Sequence, residues 1–419
     1  MTLLLFQMTV VLLISLFCGW LARRLAQARV IGEILGGILI GPSVFGRLAP
    51  TVFSHLFPQN SFDAFEVLST FGLILFLFLI GSELNYVHLR KQKFAAALAS
   101  VTSMVLPFGM AVLVAPMLRQ QFAPAGIPFL PFMLFLGISM SITAFPVLAR
   151  ILEERLMQST SLGAIAIMCA AVDDVSAWSL LAVAMALIPS ANHSVALSYR
   201  FLWLGAYLVV MFLIIRPLGS WIALRHTTIA LSYELMGLIL AVVLASAAVT
   251  DLIGVHPLFG AFLAGLCFPR VKHWQEALRA RMEVIVSILL LPMFFALTGM
   301  RTRLDLLTGT RILVWTAVIF FLAVVGKMGG AIVAARWTGQ GWRSSLALGA
   351  LLNTRGLVEL VVLNIAYNAH VFSPTLFTML VVMALATTMS TVPVLNWLKV
   401  GTPLATKQDL AILRADSCT

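Results

Sequence analysis

Two adjacent carboxylates, Asp173 and Asp174, stand in the middle of a long apolar run, in MCAAVDDVSAW. They are the only residues charged at neutral pH between Leu156 and Tyr199. A charge at the centre of a bilayer costs several kcal/mol, so buried acids mark ion or proton paths. The run extends far on both sides, which excludes snorkelling to an interface. Neighbouring helix positions differ by about 100°, so one carboxylate can face an ion path while the other faces a partner. When both are ionised they repel, and a low dielectric sharpens the repulsion. A carboxylate in that position can hold a proton or a small cation but not both. That competition is the smallest device able to exchange the two. The bland alternative, a structural pair satisfied by hydroxyls or a lysine, is a poor use of two buried acids.

Further polar groups interrupt other apolar runs. Lys327, in FLAVVGKMGGAIVA, is a counter-ion for one aspartate, a structural lysine bonding helix-end carbonyls, or both at once. Gly326, Gly329 and Gly330 beside it let a neighbouring backbone approach. In GISMSITAFPVLARIL, Pro146 lacks an N–H and clashes with the preceding turn, so a break or kink is expected near Thr143. Ser139, Ser141 and Thr143 supply hydroxyls there, and freed carbonyls suit a hard cation; an ordinary proline kink is the competing reading. In LGALLNTRGLVELVVLNIA, residues Asn353 to Gly356 form a polar interruption. Arg355 and Glu359 are spaced i, i+4, which favours a self-neutralising internal pair. His256 reads as a helix cap, and Glu33 and Glu83 fall near the expected interfaces.

Elements that place these groups follow from hydropathy. Of 419 residues, 61% are hydrophobic and only 10% charged, more apolar surface than a soluble core absorbs. About thirteen helical spans are expected, each near the ~20 residues that cross ~30 Å of hydrocarbon. They run at about 3–21, 30–46, 65–84, 94–118, 128–150, 160–188, 199–218, 231–250, 254–269, 283–300, 311–335, 345–367 and 373–397. No ten-residue alternation points to a β-barrel. The net charge of +11 does not signal nucleic acid, because the basic residues sit in short loops between spans. With the N-terminus outside, the outer segments hold Arg47, Arg119, Arg200, Arg301, Arg303 and Arg311, and two spans hold Lys327 and Arg355. The other Lys and Arg all fall inside, which orients the C-terminus to the cytoplasm; a bacterial inner membrane is the expected location. The first span lacks a basic leader and reads as retained.

A repeat is also legible. Span 2 (GEILGGILIGPSVFG) resembles span 9 (HPLFGAFLAGLCFPR), and span 3 (FLFLIGSEL) resembles span 10 (MFFALTGMR). A shift of seven spans inverts the second copy in the membrane, a pattern common in secondary transporters. Four scattered cysteines form neither a disulfide framework nor a metal motif. There is no phosphate-binding loop for ATP, no hydrolase motif and no channel filter, so no enzyme is expected. Residues 1–399 form the membrane domain and 400–419 a short cytoplasmic tail, too short for a nucleotide-binding domain.

The stretches GEILGGILIGPS, SITAFPVLARIL, AAVDDVSAW, HPLFGAFLAG, LPMFFALTGM and NTRGLVELVVLNIA together resemble the monovalent cation:proton antiporters, in their bacterial Kef-type and plant CHX-type branch. The resemblance covers about residues 20–397 and implies an all-α, NhaA-like antiporter fold with inverted repeats and two broken crossing helices. It implies a core at about 94–188 and 311–397 that moves against a dimerisation scaffold at about 1–93 and 199–300. By the same resemblance Asp174 carries the cation and the proton, and Asp173 beside it bridges to Lys327. Thr143 and Ser139 join the cation site, with Pro146, Asn353, Arg355 and Glu359 as support for the broken helices. The reading is a homodimeric Na⁺/H⁺ or K⁺/H⁺ exchanger in a lipid bilayer, without cofactor or nucleic acid. A cation-coupled symporter of an organic anion is the alternative.

Overall fold

A computed structural model describes residues 2–25, 27, 29–58, 62–83, 93–157, 160–188, 197–225, 232–269 and 271–401. Its described residues contain helices and no strands. The first five helices are α1 (Thr2–Arg24), α2 (Arg29–Ile40), the short α3 (Phe45–Leu48) and α4 (Pro50–Leu56), and α5 (Phe62–Glu83). Next come α6 (Lys93–Phe122), α7 (Phe129–Ser141), α8 (Phe145–Glu154) and α9 (Ser161–Ala186). Helix α10 (Leu197–Val210) runs through a π-bulge at Met211–Ile215 into α11 (Arg216–Arg225). Then follow α12 (Tyr233–Ile253) and α13 (Pro257–Leu266). Helix α14 (Lys272–Ile285) passes through a second bulge at Val286–Leu290 into α15 (Leu291–Arg301). The last are α16 (Thr310–Trp337), α17 (Trp342–Leu352), α18 (Leu357–Asn368) and α19 (Pro374–Trp397).

Helix is the form these runs must take, since a helix satisfies its own backbone where no water can. Local signals set several ends. Ser232 and Ser373 accept hydrogen bonds from Leu235 and Leu376 at the starts of α12 and α19. His256 does the same for Leu258 at the start of α13, with Pro257 in the first turn. Gly254, at φ +89°, ends α12 in the left-handed conformation that a glycine adopts freely.

Among the described residues, eleven helical segments are long and apolar enough to cross a membrane. Two shorter apolar helices, Phe129–Ser141 and Pro257–Leu266, stand where expected spans 5 and 9 begin. The expected count of thirteen thus meets eleven full-length crossings, because α7 stops at Ser141 and α13 is ten residues long. The interior prolines Pro107 and Pro116 of α6 and Pro393 of α19 do not break their helices.

The chain divides into two compact units. Unit 1 comprises residues 1–16, 33–86 and 181–301. Within it α2 packs on α15 and α5 on α13, through glycines. A Cβ on Gly37 would lie 2.4 Å from the Ala296 carbonyl oxygen, and one on Gly81 would lie 2.4 Å from that of Phe262. The repeat pairs span 2 with span 9 and span 3 with span 10. These are the two contacts that a two-fold exchanging the repeat partners would interchange.

Unit 2 comprises residues 17–32, 87–180 and 302–419. Here α6 and α16 pack along their lengths. A Cβ on Gly330 would stand 2.4 Å from the Thr102 carbonyl oxygen, and the Thr102 hydroxyl donates to the Gly330 carbonyl at 2.9 Å. Gly330→Val is therefore expected to force α16 away from α6 and cost about 1–3 kcal/mol. Gly329, whose added Cβ would meet only Leu106 at 3.8 Å, is the control. A thermal melt in detergent should show a lower midpoint for Gly330→Val and no change for Gly329→Ala.

Candidate functional site

Every described group of the site belongs to unit 2 and gathers where two helices are interrupted. Helix α7 ends at Ser141, Ile142 is extended, and α8 starts at Phe145, one residue before Pro146. The Pro146 side chain lies outside the described residues. Helix α17 ends at Leu352, and α18 starts after Gly356. The two open segments touch: the Ala144 N–H donates to the Thr354 carbonyl at 2.9 Å, and the Thr143 hydroxyl reaches the Leu352 carbonyl at 3.0 Å. Backbone freed by each break is thus partly satisfied by the other, as irregular backbone at membrane depth requires.

The aspartates, on α9, differ sharply in their surroundings although both are fully buried. Asp173 Oδ1 accepts from the Ser100 hydroxyl of α6 at 3.0 Å. Its Oδ2 accepts from Thr143 Oγ1 and from Lys327 Nζ of α16, each at 2.7 Å. Thr143 has one hydroxyl proton, so it serves either Asp173 or the Leu352 carbonyl at a given moment. Among the described residues, Asp174 has no hydrogen-bond partner on either carboxylate oxygen. Two adjacent positions thus carry one saturated carboxylate and one bare one, the outcome of the 100° turn between them.

Lys327 is bound to an acid and a helix end together. Besides Asp173 its ammonium donates to the Ser141 carbonyl. Arg355 behaves alike, donating from Nη1 to the Ser139 carbonyl and from Nη2 to the Met140 carbonyl, each at 2.6 Å. Three consecutive carbonyls of the last turn of α7 are therefore capped by two cations. A helix C-terminus carries unpaired carbonyls and a partial negative charge, which is what a buried cation needs. Arg355 also meets Glu359 Oε1, at 3.3 Å, and Glu359 Oε2 has no partner among the described residues. The i, i+4 pair exists, but the shorter contacts of Arg355 cross to α7.

The Ser139 hydroxyl donates back to the Phe135 carbonyl at 2.7 Å, so its proton is engaged within α7 and its carbonyl serves Arg355. Asn353 is buried with its side-chain oxygen unpartnered. Two contributors carry no sequence signal of their own. Ser100 is one hydroxyl among many in apolar helices. Thr388 of α19 accepts from the Arg355 backbone N–H at 3.0 Å and donates to its carbonyl at 2.7 Å, which fixes the second break.

The fork of Arg355 has a testable consequence. Arg355→Lys keeps the charge but offers a compact ammonium instead of a planar fork. One carbonyl of Ser139 or Met140 then loses its donor, at a cost of about 1–3 kcal/mol. The expected result is a lower melting temperature with exchange reduced but present.

A family model described as sodium/hydrogen exchanger, transmembrane, matches residues 12–397. The chain belongs to the sodium/hydrogen exchanger family. This exchanger-family chain is 38% identical over 396 residues to the Na(+)/H(+) antiporter NhaS4 of Synechocystis, covering 94% of itself and 96% of that protein. It is 39% identical to Cation/H(+) antiporter 17 of Arabidopsis thaliana and 33% identical to K(+)/H(+) antiporter 1 of Saccharomyces cerevisiae. It spans only 48% and 46% of those two proteins, about half their length. The fold matches that of the sodium proton antiporter MjNhaP1 of Methanocaldococcus jannaschii with a TM-score of 0.67 at 13% identity, over 94% of this exchanger-family chain and 97% of that one.

Proposed function

We propose that the chain exchanges Na⁺ or K⁺ for H⁺ by alternating access, with Asp174 as the carrier of both. The observation that carries this reading is the charge balance at the crossing. Asp173, Asp174, Lys327, Arg355 and Glu359 are all buried, three acids against two cations. Fully ionised, the group holds one negative charge too many, and Asp174 is the acid that no cation touches. One proton or one monovalent cation neutralises it, and a dry site favours neutrality strongly. Asp173 is held by Lys327, with Thr143 and the Ser139 carbonyl close to the same break. The transported ions suffice, so no cofactor enters.

The symporter alternative loses its ground, because relatives matched over nearly the whole chain are named as cation/proton antiporters. Those names divide between sodium and potassium, so an ion panel of Na⁺, K⁺, Li⁺ and Rb⁺ against a pH-sensitive dye in proteoliposomes decides the cation. Unit 2, which holds every one of these groups, is the moving core of this reading, and unit 1 is its scaffold in a homodimer. The reading places the chain in a bacterial inner membrane, and the segregation of Lys and Arg supports an orientation with the N-terminus outside and the C-terminus cytoplasmic.

Competition is the direct test. If one carboxylate holds either ion, apparent cation affinity should weaken as pH falls and protons fill the site. The measurement is half-saturating cation concentration across about three pH units, for example from about pH 6 to about pH 9. An affinity that stays flat over that range argues for separate sites and defeats the shared carrier.

A further inference from the structure

Arg155, the first residue after α8, is buried, and exchange as derived above does not use it. Its Nη1 donates to the Val400 carbonyl at 3.0 Å and its Nη2 to the Asn396 side-chain oxygen. Both acceptors stand at the end of α19, where Lys399 (φ +51°) and Gly401 (φ +75°) take the left-handed conformation. A Cβ on Gly401 would lie 2.6 Å from Met157 Sδ and 3.3 Å from Arg155 Cβ, so the chain leaving α19 runs against the end of α8. Beside this contact Leu148, Leu152 and Met157 share an apolar core with Leu395 and Leu398. Unpaired carbonyls at a helix C-terminus favour a cation, and here two helix C-termini meet at one guanidinium. A buried arginine is costly unless its donors are engaged, so this is an expensive way to join two helix ends.

Helices α8 and α19 are tied together again at the crossing. At the start of α8 the Ala144 N–H donates to the Thr354 carbonyl at 2.9 Å. The next residue, Arg355, has both backbone groups held by Thr388 of α19. Thr391, nearly one turn on, donates to the Ala350 carbonyl in the last turn of α17 at 3.3 Å. The ten residues of α8 span about 15 Å, and α19 from Thr388 to Asn396 spans about 12 Å. The hydrogen bonds therefore close a frame. It runs from Ala144 to Thr354, through Arg355 to Thr388, along α19 to Asn396, across to Arg155 and back along α8. All of it lies in unit 2. Two of its sides are helices, and Arg155 is the corner at their far end. With that corner opened, packing alone holds the far end of α8, and the helix can pivot at its start. There the Thr143 hydroxyl meets Asp173 at 2.7 Å. We propose that Arg155 is a positioning residue for the exchange site, closing a frame that holds the start of α8, and Thr143 with it, against Asp173. The inference rests on the exchange reading.

Two measurements on Arg155→Gln test this. In proteoliposomes at constant pH, the half-saturating cation concentration should rise on the order of tenfold, as when a group that orients an ion's ligand is lost. The maximal rate per folded protein should change much less. In detergent, amide hydrogen exchange should quicken at the Ala144 N–H, at the opposite end of α8, as well as beside the substitution. Arg155→Lys keeps one charged donor for the Val400 carbonyl and should recover part of both effects. Asn396→Ala removes one acceptor at an exposed position and should move both readouts the same way by less. It decides the matter if Arg155→Gln does not fold. A lowered melting temperature with unchanged half-saturation makes Arg155 a merely structural residue and overturns the proposal. So does amide exchange that quickens only at the junction of α8 with α19. A wild type that exchanges no cation for protons defeats the exchange reading and takes the positioning role with it, while the Ala144 amide still reports whether the frame exists.

Discussion

Asp174→Asn is expected to reduce coupled exchange in proteoliposomes to the level of protein-free vesicles, while the purified protein remains folded. An amide has the shape of a protonated carboxyl group but cannot lose a proton in the cycle or offer a full negative charge to a cation. The crossing then stays neutral in every state and has nothing to exchange. Stability should move the other way from activity. Asp174 is buried with both oxygens bare, and replacing an unpaired buried acid by a neutral group is neutral or stabilising, by up to about 1–3 kcal/mol. Asp173→Asn, one residue away, supplies the contrast. It strips Lys327 of its only carboxylate contact among the described residues and leaves a buried cation unpaired, a loss of about 3–5 kcal/mol. The same chemical change at neighbouring positions should therefore raise or preserve one melting temperature and lower the other. Substantial coupled flux through a folded Asp174→Asn protein would remove Asp174 as the carrier.

That contrast is only half legible in the sequence. The 100° step between helix neighbours says that two adjacent acids face different ways. It does not say which of them meets the lysine, because the answer depends on how α9, α6 and α16 are stacked. The breaks are more accessible: Pro146 announces the first by backbone chemistry, and the second shows as the polar interruption Asn353–Gly356, which the family resemblance reads as a broken helix. Arg355 shows the limit of local rules. Its i, i+4 partner Glu359 is real, yet two carbonyls of α7 hold it more closely, and no periodicity within one helix reveals a neighbour 215 positions away. Ser100 and Thr388 are unmarked for the same reason, being hydroxyls given their roles by packing. One helix starts earlier than the hydropathy of its span suggests. The stretch KHWQEALRARMEVI falls mostly between the expected spans 254–269 and 283–300, but it forms α14 and runs on through a π-bulge into α15.

Lys327→Gln is expected to leave some exchange but to remove its response to membrane voltage, with a clear loss of thermal stability. The stability term follows from the site. Lys327 is fully buried, 2.7 Å from Asp173, and donates to the Ser141 carbonyl as well. Glutamine keeps one amide donor and no charge, so Asp173 becomes an unpaired acid, at a cost of about 3–5 kcal/mol. The transport term follows from charge counting. With Lys327 charged and Asp173 paired, the site carries one excess negative charge, and a bound Na⁺ or K⁺ makes it neutral. If the arriving cation draws Asp173 away from Lys327, the ammonium is left unpaired in a dry site and releases its proton. Each cycle then moves more protons than cations, and one net charge crossing a potential of 100 mV is worth about 2.3 kcal/mol. Without the lysine that second proton has no carrier, and exchange becomes one for one. The measurement is dye-reported exchange in liposomes with an imposed potential set without potassium, wild type beside Lys327→Gln. Wild-type exchange indifferent to the potential would sink the electrogenic cycle. A variant driven by voltage as strongly as the wild type would leave Lys327 with the structural part of its work alone, holding Asp173 and the end of α7.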